Sequence, residues 1–124
     1  MNAKTLIISM ILSLTFCSAG FADDESVSGE INQKCPVPDK PSIPDGNNAS
    51  EDQMIAAQGH MKSFISQGNG YLECLDSIEK EWGSGASQSK KQLIIIFHNK
   101  MVDDMNHVAD MFNSAVRAYK GKRR

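Results

Sequence analysis

Few side chains in this 124-residue sequence are equipped for chemistry: three cysteines, three histidines, seven methionines and scattered carboxylates. Two cysteines, Cys35 and Cys74, lie in the body of the chain. In an oxidising compartment such a pair reads first as one disulfide, with a bridge between two copies as the competing solution. His98, Met101 and Met105 fall on one helical face, and Met105-Asn106-His107 is a short Met-x-His. Thioether and imidazole together suit copper in an exported protein. The plainer reading is that unbranched methionine fills irregular cores and sits at seam positions because those are the core. No spacing here is a recognised ligand set. His98, Met101, Met105 and His107 therefore stand as weak metal candidates, and no cofactor is assigned.

Catalytic constellations are not found. The serines lack a glycine-elbow context, and cysteines that pair are not thiolate nucleophiles. Asp103-Asp104 and Glu79-x-Glu81 read as solvated helix-surface carboxylates rather than an acid/base pair. Gly83-Ser84-Gly85 lacks the lysine and strand context of a phosphate loop. No catalytic residue is assigned, and the chain reads as something other than an enzyme. Thirteen Lys plus Arg against 15 Asp plus Glu give a formal charge of −2, which argues against a general nucleic-acid binder.

The elements that hold these residues begin after a leader. Lys4 precedes an uncharged apolar run over 5–16, and small residues follow at Ser18, Ala19, Gly20 and Ala22. The run is shorter than the roughly 20 residues of a membrane span and suits the core of a secretory signal. Residues 1–22 are thus expected to be a signal peptide cleaved after Ala22, with cleavage after Ala19 as the alternative. Leu14-Thr15-Phe16-Cys17 loosely resembles a lipidation box, but Phe16 is bulky where that motif needs a small residue. The expected mature protein is periplasmic or secreted, has no membrane span, and keeps only Cys35 and Cys74.

Residues 23–34 are acidic and polar and are expected to form a disordered leader. All four prolines follow, at Pro36, Pro38, Pro41 and Pro44, a density that forbids helix and favours extended, polyproline-like chain. Asp45-Gly46 signals a turn. Ser50-x-x-Gln53 is a capping box, with Glu51 and Asp52 at the favourable end of the helix dipole. From there Met54, Met61, Gly68, Leu75 and Trp82 recur at sevens, as do Ala57, Phe64, Tyr71 and Ile78. That pattern predicts a helix over about 51–82. Gln67-Gly68-Asn69-Gly70 opposes it locally as a turn signal. Phase carries the argument, because Phe64 and Tyr71 keep the seven-residue step across the glycines.

Residues 83–87 form a short connection, and a second helix is expected over about 89–120. Its seam alternates between His98, Met105, Phe112, Tyr119 and Ile94, Met101, Val108, Ala115. Ile95, Phe97, Val102, Met111 and Val116 widen the stripe beyond what one partner helix covers. Residues 121–124 are a basic tail. Two long helices with a short connection make an antiparallel hairpin, all-α, each arm about 48 Å long.

Cys74 lies 24 residues into the first helix, so about 36 Å from Ser50. The 15 residues back to Cys35 reach about 46 Å when extended. A proline-rich strap can therefore turn at Asp45-Gly46, run along the hairpin and meet Cys74, covering part of the wide stripe. Dimerisation into a four-helix bundle would cover the same stripe.

The run Cys35-x-x-Pro38-x-x-Pro41-x-Ile43-Pro44-Asp45-Gly46, then Ala49-Ser50, then Tyr71-Leu72-x-Cys74-Leu75, resembles an uncharacterised family of small exported proteobacterial proteins. The resemblance covers roughly 35–80. It implies export, paired cysteines and a helical fold, and supplies no catalytic residues. Gly68-Asn69-Gly70 has no counterpart in the family pattern. The expected function is that of an exported interaction or structural module of the cell envelope, with a homodimer or an envelope protein as partner. The alternative is a periplasmic copper-binding protein.

Overall fold

The computed structural model describes residues 22–124. The expected signal peptide, apart from Ala22, and Cys17 lie outside the described residues. Three helices follow in order: α1 Ala22–Lys34, α2 Glu51–Trp82 and α3 Gln88–Lys122. No helix among the described residues is long and apolar enough to cross a membrane.

α2 begins as its sequence dictates. Ser50 is extended, its hydroxyl accepts from Gln53 N–H at 3.2 Å, and Gln53 Oε1 accepts from Ser50 N–H at 2.8 Å. The helix ends at Gly83, which takes φ 65°, ψ −168°, a backbone conformation open essentially to glycine alone. Ser87 caps α3 by accepting from Lys90 N–H at 3.3 Å. The helix starts one residue earlier and ends two residues later than the heptad phase suggests.

The two long helices pack antiparallel. Ile78 shares a cluster with Ile94 near the connection, while Met54 and Ala57 meet Phe112 and Ala115 at the far end. Ala57, Phe64, Tyr71 and Ile78 are all buried, as are Ile94, Met101, Val108 and Ala115. In the other two series Met54, Gly68, Leu75 and Phe112 are buried, whereas Met61, His98, Met105 and Tyr119 are half-buried. Leu75 and Val108 have no exposure at all. Complete burial of such side chains contributes about 1.5–3 kcal/mol each.

α2 runs unbroken through Gly68 and Gly70. The turn-forming chemistry loses because Gly68 sits in the seam. A Cβ on it would lie 2.9 Å from Met105 Cγ and 3.2 Å from Met101 Sδ. The missing side chain makes room for two methionines of α3, and their packing offsets the roughly 1 kcal/mol that glycine costs a helix.

The expected disordered leader is corrected. Residues 22–34 are helical, and Ile31 is fully buried against Leu75 and Val108 in the central cluster, with Val27 packed beside it. Val27, Ile31 and Cys35 recur at intervals of four, so one narrow face of an otherwise polar segment points at the hairpin. Lys34 fixes the end of α1 by pairing with Glu30 at 3.4 Å and with Glu81 of α2 at 2.8 Å. Hydrogen bonds to Glu81 and then Glu30 raise the Lys34 pKa. The wide apolar stripe of the hairpin is thus covered in part by two additions, α1 at one end and the strap, through Ile43, further along, while Ile95 and Met111 stay exposed.

Candidate functional site

The strap, residues 36–44, is held to the hairpin at three places. At its start Cys35 and Cys74 are bridged, with Cα atoms 5.8 Å apart. Cys35 is buried, and Cys74 Sγ also lies 3.6 Å from the Lys34 carbonyl oxygen, so the end of α1 and the start of the strap share one anchor. Midway, Lys40 Nζ donates to Asp104 Oδ1 of α3 at 2.6 Å, and Lys100 donates to the other oxygen at 2.9 Å. These two lysines, Lys40 first, hold the Asp104 carboxyl below the usual carboxylate range.

At the far end the chain turns on Asp45. Its side chain accepts from Asn47 N–H at 3.0 Å and Asn48 Nδ2 at 2.7 Å, and its carbonyl accepts from Asn48 and Ala49 N–H. Gly46 is pressed on the α3 backbone. A Cβ there would lie 2.7 Å from the Ala115 carbonyl carbon and 2.8 Å from Tyr119 N. No residue with a side chain fits that approach, which is why the turn is Asp-Gly.

Between the anchors the strap stands proud of the helices and leaves grooves on both sides. Toward α2, three depressions of about 470, 580 and 210 Å³ run into one another. Asp39 and Gln67 line both of the first two, and Ser42 and His60 line both of the last two. The result is one long shallow channel walled by the prolines and floored by α2. Toward α3, a cleft of about 560 Å³ opens beside the turn, between Ile43, Asp45, His107 and Met111. Tyr71 lies beneath the strap, reaching the α2 channel on one side and, with Val37, Phe97 and Met101, a 60 Å³ space on the other. Burial raises the pKa of its phenol.

No backbone N–H or carbonyl between Pro36 and Pro44 hydrogen-bonds within the chain among the described residues. Val37, Asp39, Lys40 and Ser42 are exposed. The strap's carbonyls, and the N–H groups of its five residues that are not proline, are therefore without partners in the chain.

No family model, curated protein or solved structure matches the chain. The residues themselves must carry the reading.

Of the weak metal candidates, Met101 and Met105 are brought together, with both side chains against Gly68. His98 is half-buried on the same helix face. His107 is elsewhere, exposed in the cleft beside the turn. The four do not form one ligand set, and the two thioethers are engaged in helix packing. Among the described residues no three or more His, Cys, Asp or Glu side chains converge as a metal site.

Of the carboxylates weighed for acid/base work, one of each pair is tied to lysine, Asp104 to Lys40 and Lys100 and Glu81 to Lys34, while Asp103 and Glu79 are exposed. An Asp104 carboxyl with a lowered pKa is held ionised, which suits anchoring a strap and not donating a proton. Sequence reasoning missed two features of this surface. Asp104 looked like one of a solvated pair because its partner Lys40 is 64 residues away. The packing of α1 was signalled by the four-residue recurrence of Val27, Ile31 and Cys35.

Proposed function

We propose that this chain is an exported, non-enzymatic interaction module of the cell envelope, whose binding surface is the channel between the strap and α2. The observation that carries this reading is the unpaired main chain of residues 36–44 along a continuous groove. An extended polypeptide laid in that groove gains main-chain hydrogen bonds from the strap and side-chain contacts from the prolines, Tyr71 and Gln67. Disulfide anchoring keeps the strap in its binding conformation before a partner arrives, which lowers the ordering cost of association. The bridge and the resemblance of residues 35–80 to exported proteins support a periplasmic or secreted location, where such a bridge persists.

The reading is tested with a photocrosslinking amino acid placed at Val37, at Ser63 and, as a control, at Ile95 near the connection. Adducts with a defined partner at Val37 and Ser63 that are weak or missing at Ile95 are the expected result. A partner captured through Ile95 alone, or a chain that crosslinks only to its own copy and runs as a dimer by light scattering, contradicts it.

A further inference from the structure

The positive charge of this protein is concentrated at one tip. Arg117, Lys120, Lys122, Arg123 and Arg124 fall within residues 117–124, and no acidic side chain lies between Asp110 and Arg124. The described residues before Arg117 carry seven lysines against 15 Asp plus Glu, so an acidic rod bears a basic patch at one tip. All five cations are exposed. None forms a salt bridge with a carboxylate among the described residues.

The tip is ordered. α3 continues through Lys122, which donates to the Ala49 carbonyl oxygen and so ties the end of α3 to the start of α2. Lys122 Nζ and the Arg123 guanidinium stand 4.6 and 5.5 Å from the Tyr119 ring centroid. Arg117 is steadied by Ser114 Oγ at 2.9 Å. The carboxylates at this end, Asp45 in the turn against α3 and Glu51 and Asp52 in the first turn of α2, are not in salt bridges with the five cations.

We propose that this tip docks on an anionic phospholipid surface. The fit is to an array of phosphates rather than to one anion. The cations are spread over the end of α3 and the two residues after it, and none of the described clefts is lined by any of them. Clustered lysine and arginine are drawn to the negative potential of anionic headgroups within a Debye length, and the acidic remainder of the rod is held away from it. Ile55, exposed in the second turn of α2, adds an apolar side chain at the same end. Docking by the tip leaves the strap channel, on the flank of the rod, free.

The test is cosedimentation of the whole protein with vesicles of phosphatidylcholine alone or with 30 per cent phosphatidylglycerol, at about 50 mM and 500 mM salt. The expected result is binding to the anionic vesicles at low salt only. It falls at least tenfold in a variant carrying Arg117→Gln, Lys120→Gln, Arg123→Gln and Arg124→Gln, with Lys122 kept for its contact with Ala49. Neutralising four other cations, Lys62→Gln, Lys80→Gln, Lys90→Gln and Lys91→Gln, leaves binding within about twofold. Circular dichroism checks that both variants are folded. Equal loss in the two variants, binding to neutral vesicles, or no binding at low salt overturns the proposal. Release by millimolar inorganic phosphate would show a single-anion site instead. Salt-sensitive self-association without lipid, lost in the tip variant, would assign the tip to the acidic flank of a second copy.

Discussion

Gly68 of α2 and Met105 of α3 share one volume across the helix seam: a methyl group on the glycine would stand 2.9 Å from Met105 Cγ. Met101 Sδ closes the same space at 3.2 Å. Gly70, two residues on, faces nothing within 4 Å. Alanine at the two sites should therefore act in opposite directions. Gly70→Ala gains helix propensity without a clash and is expected to stabilise by about 1 kcal/mol. Gly68→Ala gains the same propensity but overpacks the seam, for a net loss of about 1 kcal/mol. Thermal unfolding resolves the difference, since 1 kcal/mol moves the midpoint by about 4–8 °C in a domain of this size.

Gly46 makes a stricter demand, because what it touches is backbone. Gly46→Ala drives a methyl into the Ala115 carbonyl and the Tyr119 amide, and neither can rotate away as a methionine can. The expected cost is about 2–3 kcal/mol. Limited proteolysis of the strap should quicken alongside it. A variant as stable and as resistant as the parent would mean that the turn does not rest on α3.

Ile31 tests whether α1 belongs to the fold. Its side chain is wholly buried between the two long helices, so Ile31→Ala should cost about 3 kcal/mol in urea unfolding and speed tryptic cleavage after Lys34. A disordered leader would give no change in either measurement.

Asp104 makes the strap sensitive to acid. Its pKa is lowered in the folded protein by Lys40 and Lys100, so the ion pairs stabilise the fold above the unfolded carboxylate pKa of about 3.9. That contribution is lost as the pH falls through the lowered folded value. Both lysines are largely exposed, which keeps the contribution near 0.5 kcal/mol. Asp104→Asn should be less stable than the parent by about that amount at pH 7, with the gap narrowing as the pH falls below the unfolded carboxylate value and through the lowered folded one. A gap that persists at low pH would point to packing rather than charge.

The hairpin was legible because its information is local and repeated. Sevenfold recurrence of apolar residues, the Ser50–Gln53 capping box and the glycines before Ser87 all fall within a few residues of what they specify. The strap was legible through length, since proline stiffness and helical rise fix where Cys35 can reach. α1 was misjudged because a weak, polar segment with Ser26, Ser28 and Gly29 becomes helical through tertiary contacts of Val27 and Ile31, with the Cys35 anchor at its end. The grooves could not be read at all. Their walls join Asp39 with Gln67 and Ser42 with His60, pairs that no periodicity links. The continuity of α2 through Gly68 was legible as phase, but its cause, two methionines on the other helix, is purely tertiary.

The central claim is that one chain pins its own strap to α2 at Cys74, about three-quarters of the way along that helix, closing a loop with 39 residues of sequence separation. A bridge over such a span stabilises by roughly 4 kcal/mol in the chain-entropy estimate. The most direct measurement is the intact mass of an oxidised chain beginning at Asp23, and so without Cys17, after denaturation with excess iodoacetamide and no reductant. A monomer carrying no alkyl adduct, and taking up two after reduction, is the outcome this structure requires. A monomer alkylated twice before reduction, or a mass of two linked chains, contradicts it.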